Sequence, residues 1–387
     1  MKTIALVGGG VTNVLLSILL KNHFKNEMNV LIIEKSDELL KKLTITGNGK
    51  CNILNKKFHE GLIIDDPLIK EAFNSISYEE LEGFYNTLGL PLFEKGDLIY
   101  PFNESSNQTR DFLVHKIHEL GVKVATNIKV VNYHKLDNKW VLLLDDSSKI
   151  SADLVCFSTG GKSYKVLGAD SSLLKIFNEH KYKINEFKPA LCAIKVKENV
   201  KKLDGVRSKA EVTVFDNNKV VFKETGEVLF KKDGLSGIVI YNASLYISKN
   251  YNKLNNLKIS INFLPDLDDK KIDAIKKYAG SAAILKVLTT KKLADRVEKI
   301  TNNVDKQIEL LKNLTFTPTD FYGFDVAQIS VGGIALSNLK ETLESKIEKN
   351  IYFGGELIDI SGYCGGYNLS MCLASALIIF KSILKER

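Results

Sequence analysis

Apolar positions open the chain as a short continuous run, Ile4–Val7, which reads as a buried strand. Three glycines follow, then VTNVLLSILLKNHF with a helical seam, then a second apolar run, NVLIIE. Strand, glycine turn, helix and strand in that order predict a parallel β-α-β unit. Residues 66–90 and 104–121 carry amphipathic helical periods. Strand-like runs follow at Val122–Ala125, Lys129–Tyr133, Trp140–Leu144 and Leu154–Ser158, and their closeness predicts an antiparallel flap that returns to the parallel sheet at ADLVCFSTGG.

The texture changes near Pro189. Residues 191–263 alternate apolar and polar positions with a period near two, as in CAIKVK, AEVTVF, KVVF and LKISINF, and predict a small β domain. Residues 268–312 are lysine-rich, helical in period and poor in glycine. Glycine-rich strand–loop–helix signals then return in VAQISVGGIAL and NIYFGGELIDISGYCGGYN, before a last helix, Leu369–Lys385. The expected layout is a discontinuous first domain over 1–188 and 320–387, a β subdomain over 189–264 and a helical subdomain over 265–319.

Composition changes little in this picture. With 387 residues, 44% hydrophobic and 26% charged, the chain is of ordinary globular type. No apolar run reaches the ~18 residues of a spanning helix, and the first residues have no signal-peptide layout, so no membrane partner and a cytoplasmic location are expected. Five scattered cysteines without a CxxC pair suit reduced thiols. The net charge of +8 raises nucleic acid as a partner. Yet only four of 54 basic residues are arginine, and the lysines are interleaved with acids, so a solvated surface and no nucleic-acid partner are expected. His115 and His118 are three apart on a helix, but no third ligand is in view, and no metal is expected.

The chemistry sits in the glycines. VGGGVTN is a GxGxxG fingerprint with Asn13 at the third position. Gly8 suits the tight turn, and Gly10 allows backbone to approach a pyrophosphate. Glu34 ends the second strand, where a carboxylate accepts from ribose hydroxyls and repels a 2′-phosphate. The loop KKLTITGNGKCN is either an ordinary turn or a second backbone approach to a cofactor through Gly47, Asn48 and Gly49. Cys51 within it reads as a small buried hydrophobe rather than a redox group. CFSTGGKSYKVLG runs a strand into a double-glycine turn. In YFGGELIDISGYCGGYN, one strand ends at Gly354–Gly355 before Glu356, and Gly365–Gly366 open the last helix through Tyr367 and Asn368, a helix start with positive potential.

These stretches, with GLSGIVI and FLPDL, occur in the order seen in the BaiN-like, aminoacetone oxidase family of NAD(P)/FAD-dependent oxidoreductases, which the chain resembles over nearly its whole length. The GNGKCN stretch (similar to S-G-G-G-R-C-N-x-T-N in family members) and GGYN are the most specific. The resemblance implies an α/β fold with a doubly wound, discontinuous FAD-binding Rossmann-like domain. It implies that Gly8, Gly10 and Val11 meet the FAD pyrophosphate, and that Glu34, with Lys35 beside it, binds the adenosine ribose. Lys42 or its neighbour Lys41, and the loop Gly47, Asn48, Gly49, Cys51 and Asn52, would lie along the cofactor. Val130 would pair its backbone with adenine, and Thr159, Gly160 and Gly161 would cover the adenine-ribose side. Gly355 and Glu356 would reach the ribityl and pyrophosphate region, and Gly366, Tyr367 and Asn368 the isoalloxazine.

Three departures stand out: Asn13, Lys165 where proline is common, and ADSSLL (169–174) in place of T-G-D-G-Y. The expected reaction is hydride transfer between flavin N5 and a small-molecule substrate, or from transient NAD(P)H to that substrate. No catalytic side chain is assigned, since the cofactor carries the hard chemistry. The substrate is expected between the first domain and the inserted ones. The alternative is a flavin- or dinucleotide-binding protein without turnover, suggested by Asn13 and the 169–174 change. The sequence leaves the oligomeric state open.

Overall fold

The computed structural model describes residues 1–169, 171–280 and 283–385. Asp170, within the altered ADSSLL stretch, lies outside them. The chain divides into two compact units, one formed by Met1–Lys188 with Ile329–Arg387 and the other by Pro189–Gln328.

The first unit is built on a five-stranded parallel sheet. Its order is Ile351–Phe353, Leu154–Phe157, Lys2–Val7, Met28–Ile33, Lys123–Ala125. The strand Lys2–Val7 lies in the middle and reads as an apolar run because its last four residues are buried. The expected antiparallel flap is smaller than its four runs suggest. Only Val130–Leu136, Lys139–Leu144 and Lys149–Ala152 form it. Lys123–Ala125 instead joins the parallel sheet beside Met28–Ile33, because helix Ser106–Glu119 ahead of it serves as a crossover. The helical pattern of 66–90 breaks into Pro67–Asn74 and Tyr78–Thr87, and Ser77 caps the second by accepting from Glu80 N–H. A small antiparallel sheet of Leu54–Asn55, Leu98–Pro101 and Leu92–Lys95 has strands too short for periodicity to reveal.

The last helix, Tyr367–Lys385, packs against the first, Val11–Phe24. Its apolar length reflects burial: Leu373, Ala374, Ala376 and Ile379 are all in the core of this unit.

The second unit holds a seven-stranded antiparallel sheet. Its long pair is Arg207–Asp216 against Lys219–Lys231. Helix Ile238–Asn250 buries Val239, Ile240, Ala243 and Ile247, although the segment reads as part of a β domain. The helices Asp269–Ala279, Lys291–Glu298 and Val304–Lys312 contribute Ile272, Leu293, Val297 and Leu311 to the same core as the sheet's Val212, Val214, Ile259 and Ile261. Strands Leu314–Phe316 and Pro318–Phe321 belong to this sheet, so the unit continues past 319, and the first unit resumes at Ile329 rather than 320. The β and helical stretches therefore share one hydrophobic core.

Asn13 has a structural task. It is fully buried in the first turn of the first helix. Its amide donates to Val7 O and Gly8 O, both at 2.9 Å. The side chain that occupies the third fingerprint position thus ties the glycine turn back onto the strand that precedes it. It neither wedges the helix outward nor aims its amide away from the turn. Asn13→Gly removes two buried hydrogen bonds and adds helix glycine. The unfolding free energy should fall by about 2–3 kcal/mol. A urea midpoint equal to that of the parent would show that the brace is dispensable.

Candidate functional site

The site grows from the end of the central strand. Gly8 has φ +101°, and a Cβ there would lie 2.5 Å from Ser158 O, so a side chain would collide with the neighbouring backbone. Gly10 is the N-cap of Val11–Phe24, with no side-chain cap and no acid in the first turn. A Cβ at Gly10 would meet only Ser158 O at 3.7 Å, so the space before the helix start is open. The first N–H groups of the helix have no intrahelical acceptors and face that space with the positive end of the helix dipole.

Glu34 stands beside this turn. Its Oε2 accepts from Gly9 N–H at 2.6 Å and its Oε1 from Ser36 N–H at 2.8 Å. Each oxygen keeps a lone pair for a further donor, and two backbone bonds fix the carboxylate's direction. Ile128 N–H donates to Glu34 O at 3.2 Å, which brings the start of the Val130 strand to the same end of the sheet. Val130 is buried, paired with Leu144, and sits on an edge strand of its small sheet. Lys35 lies near Gly168.

A second carboxylate closes the other side. Glu356 Oε2 accepts from Lys42 Nζ at 2.8 Å, and its Oε1 accepts from Ser330 N–H at 2.9 Å. The Lys42 and Glu356 side chains are 30% and 17% exposed, so the pair stays in reach of solvent and orients more than it stabilises. Lys41 instead pairs with Asp37. Gly161 passes so close to Glu356 that a Cβ would lie 2.8 Å from Oε1, while Gly160 has open space. Gly355, at φ +62°, brings backbone against Thr12 and Ser158. Thr12 Oγ1 is buried there.

The third part is the loop into the last helix. Gly47 and Asn48 are consecutive left-handed residues, and the exposed stretch Gly47–Lys50 follows them to Cys51 and Asn52. Cys51 is fully buried, and burial pushes its thiol up to about 12, so it is an inert core group whose side chain does not line the site. Asn52, with its amide oriented to satisfy its neighbours, donates to Ile99 O and Leu54 O and accepts from Gly366 N–H at 3.2 Å. Asn55 Nδ2 donates to Gly365 O at 2.6 Å. Asn368 grips Gly362 twice, accepting from its N–H at 2.9 Å and donating to its O at 2.8 Å. Its amide is thus committed to the loop, and the positive potential at this helix start comes from backbone N–H groups. The Tyr367 ring packs over Gly61.

The structure therefore gathers Gly8, Gly10, Val11, Glu34, Lys42, Thr159–Gly161, Gly355 and Glu356 around one helix start, with Asn52 and Gly366–Asn368 in the adjoining loop cluster. Sequence reasoning missed Thr12, Asn55, Ser163 and Ser330. Ser330 stood inside the VAQISVGGIAL stretch, but nothing in its spacing marked it. Its Oγ accepts from Lys162 N–H at 2.8 Å and lies 2.9 Å from Ser163 Oγ, so one serine ties the double-glycine turn to Glu356.

The donor set suits FAD. An acid-free helix start fits a pyrophosphate, Glu34 fits ribose hydroxyls, and the open volume at Gly10 and Gly160 is where added side chains would intrude. Gly366 is glycine for a different reason from the one the motif suggests. It has φ +87°, and a Cβ would lie 2.5 Å from Leu54 O, inside the protein itself. Gly366→Ala should therefore lose about 2–4 kcal/mol of stability with no flavin present, from backbone strain and overpacking. An unfolding curve of cofactor-free protein unchanged by the substitution would return the constraint to the bound ring.

Comparisons with known proteins show the family and the fold. The model described as "HI0933-like protein Rossmann domain" matches residues 2–381. A 3-dehydro-bile acid delta(4,6)-reductase of Clostridium scindens is 28% identical, with 98% of this chain and 98% of that protein covered. A ribosomal RNA dihydrouridine synthase of Escherichia coli is 26% identical, with 90% of each covered. Among solved structures, the open conformation of a flavocytochrome c3 fumarate reductase matches with a TM-score of 0.50 and 16% identity, over 99% of this chain and 78% of that one. The chain belongs to the HI0933-like Rossmann-domain family, and its fold is that of a Rossmann-type FAD-binding domain.

Proposed function

We propose that this protein is an FAD-dependent oxidoreductase that reduces a carbon–carbon double bond conjugated to a carbonyl, with NADH or NADPH as transient donor. The observation that carries the cofactor is the pair of fixed carboxylates, Glu34 and Glu356, on either side of an acid-free helix start. The substrate class comes from chemistry shared by the names of two relatives. A delta(4,6)-reductase of a 3-dehydro acid and a dihydrouridine synthase both saturate a double bond in conjugation with a carbonyl.

The chain's residues divide the work. N–H groups of Gly10, Val11 and Thr12 would hold the pyrophosphate, and Glu34 would accept from the adenosine ribose. Glu356, fixed by Ser330 and Lys42, would accept from hydroxyls between the two halves of the cofactor. The start of helix Tyr367–Lys385 carries positive potential that would favour the negative charge a flavin gains on reduction. FAD, when bound, would supply the hydride-transfer chemistry. Asn52, Asn55 and Asn368 hold the 362–366 loop in place.

A nucleic-acid substrate is the second reading, favoured by the net charge of +8 and by the dihydrouridine synthase relative. The lysines near the ring-side loops weigh against it. Lys50 pairs with Glu104, Lys56 with Glu94 and Lys57 with Asp97, which leaves little uncompensated charge for phosphates. Binding without turnover loses one of its two motives, because Asn13 is a brace of the turn.

Purified protein should show flavin absorbance, bleach anaerobically with NADH or NADPH, and recover colour on adding a conjugated ketone. Protein that stays colourless after incubation with FAD would end the proposal. Recovery only with uridine-containing RNA, in a salt-sensitive way, would select the second reading. Glu34→Ala should weaken FAD binding about ten- to a hundred-fold, the size of lost hydrogen bonds to a charged group. An unchanged dissociation constant would remove Glu34 from the site.

A further inference from the structure

We propose that the Tyr100 hydroxyl is the donor that holds the substrate's carbonyl oxygen, on an aromatic wall beside the Gly365–Gly366 turn. This rests on the conjugated-carbonyl reading above and names the residue that recognises that group.

The wall is one face of the small sheet of Leu54–Asn55, Leu98–Pro101 and Leu92–Lys95. Ile99, opposite Leu54, is fully buried. Leu98 and Tyr100, one position to either side of it, therefore share the other face and are partly open. Phe93 lies opposite Tyr100, and the rings stack with centroids 5.7 Å apart at 26°. The face adjoins the loop into the last helix. Leu98 Cδ2 lies 3.2 Å from where a Cβ of Gly365 would be, and Asn55, opposite Leu98, holds Gly365 O.

The Tyr100 hydroxyl has no hydrogen-bond partner among the described residues. Tyr78 is engaged with Glu82, Tyr133 and Tyr182 with Glu348, and Tyr322 with Asp233. Tyr85 also lacks a partner, but it is sealed in the core, whereas Tyr100 is partly open. Burial holds the Tyr100 phenol above its usual range, while Lys50 acts the other way and Glu104 and Cys364 reinforce the rise. The group is thus a neutral donor across physiological pH. Lys50, whose charge acts on this phenol, is paired with Glu104. A stacked aromatic surface with one free neutral donor suits a flat, uncharged ring system bearing a carbonyl. A hydrogen bond to that oxygen stabilises the charge that moves onto it as the adjacent double bond is reduced.

The test titrates FAD-loaded protein with progesterone, a flat conjugated ketone, and reads the shift of the flavin bands. The parent should bind it, with affinity falling as pH rises through the raised Tyr100 pKa, because only the neutral phenol donates. Tyr100→Phe should bind about ten-fold more weakly, the size of one hydrogen bond, and lose that pH limb. Its FAD dissociation constant and unfolding midpoint should match the parent's. Equal progesterone affinity and an unchanged pH limb in Tyr100→Phe would overturn the role of Tyr100 and leave the substrate class intact. Loaded parent that binds uridine but not progesterone would overturn the Tyr100 proposal and leave the conjugated-carbonyl class intact, and loaded parent that binds neither would overturn both. Should Tyr100→Phe fail to fold, 3-fluorotyrosine at position 100 must move the limb to lower pH, and a stationary limb would overturn the proposal.

Discussion

Everything at this site depends on backbone passing backbone without a side chain between. The turn after the central strand runs at van der Waals distance from Ser158, which only Gly8 permits. The return at Gly355 presses on Thr12 and Ser158 in the same way. Three distant segments are thereby brought to one helix start, and each contributes what it carries. The first brings N–H groups, the second a double-glycine turn, the third Glu356. A larger residue at either crossing would separate them before it touched any cofactor.

Such close approaches leave many polar groups to satisfy, and the chain does so with short side chains. Asn13 ties the turn to its strand, and Ser330 ties Lys162 and Ser163 to the backbone that holds Glu356. Asn368 clasps Gly362, and Asn55 holds Gly365. Each is a hydrogen bond of about 1 kcal/mol, but an unmade one would leave a buried donor or acceptor bare, which costs more. The far edge of the sheet uses another device. Its last strand, Ile351–Phe353, is only three residues long, and is held by Phe353 among Phe157, Phe177 and Tyr182. Beside it Glu348 accepts from Tyr133, Tyr182 and His180, so a carboxylate close to the aromatic cluster is fully engaged.

The two units differ in how plainly they are written. In the first, a continuous apolar strand and a glycine turn leave little freedom, because a strand buried on both faces and a helix packed on it need that pattern. In the second, period-two alternation announces the sheet but hides helix Ile238–Asn250, since a helix that buries most of its surface lacks a polar stripe. The two-residue strand Leu54–Asn55 and its four-residue partners are likewise set by pairing and not by pattern.

The sequence by itself determined the parallel β-α-β opening, the glycine turns, Glu34 and Glu356 as carboxylates near them, and the resumption of the first unit after a long insertion. These are local signals, legible because backbone conformation and strand burial restrict which residues can stand there. Only the tertiary structure decided what each polar side chain does. Asn13 read as a departure from the fingerprint and Asn368 as a group near the isoalloxazine, and both spend their amides on neighbouring backbone. Gly366 read as room for a ring, yet its glycine is required by Leu54 O. Ser330 and Tyr100 carried no signal at all. A hydrogen-bond partner is a matter of which chain segment lies three ångströms away, and that depends on crossings that join residues hundreds of positions apart.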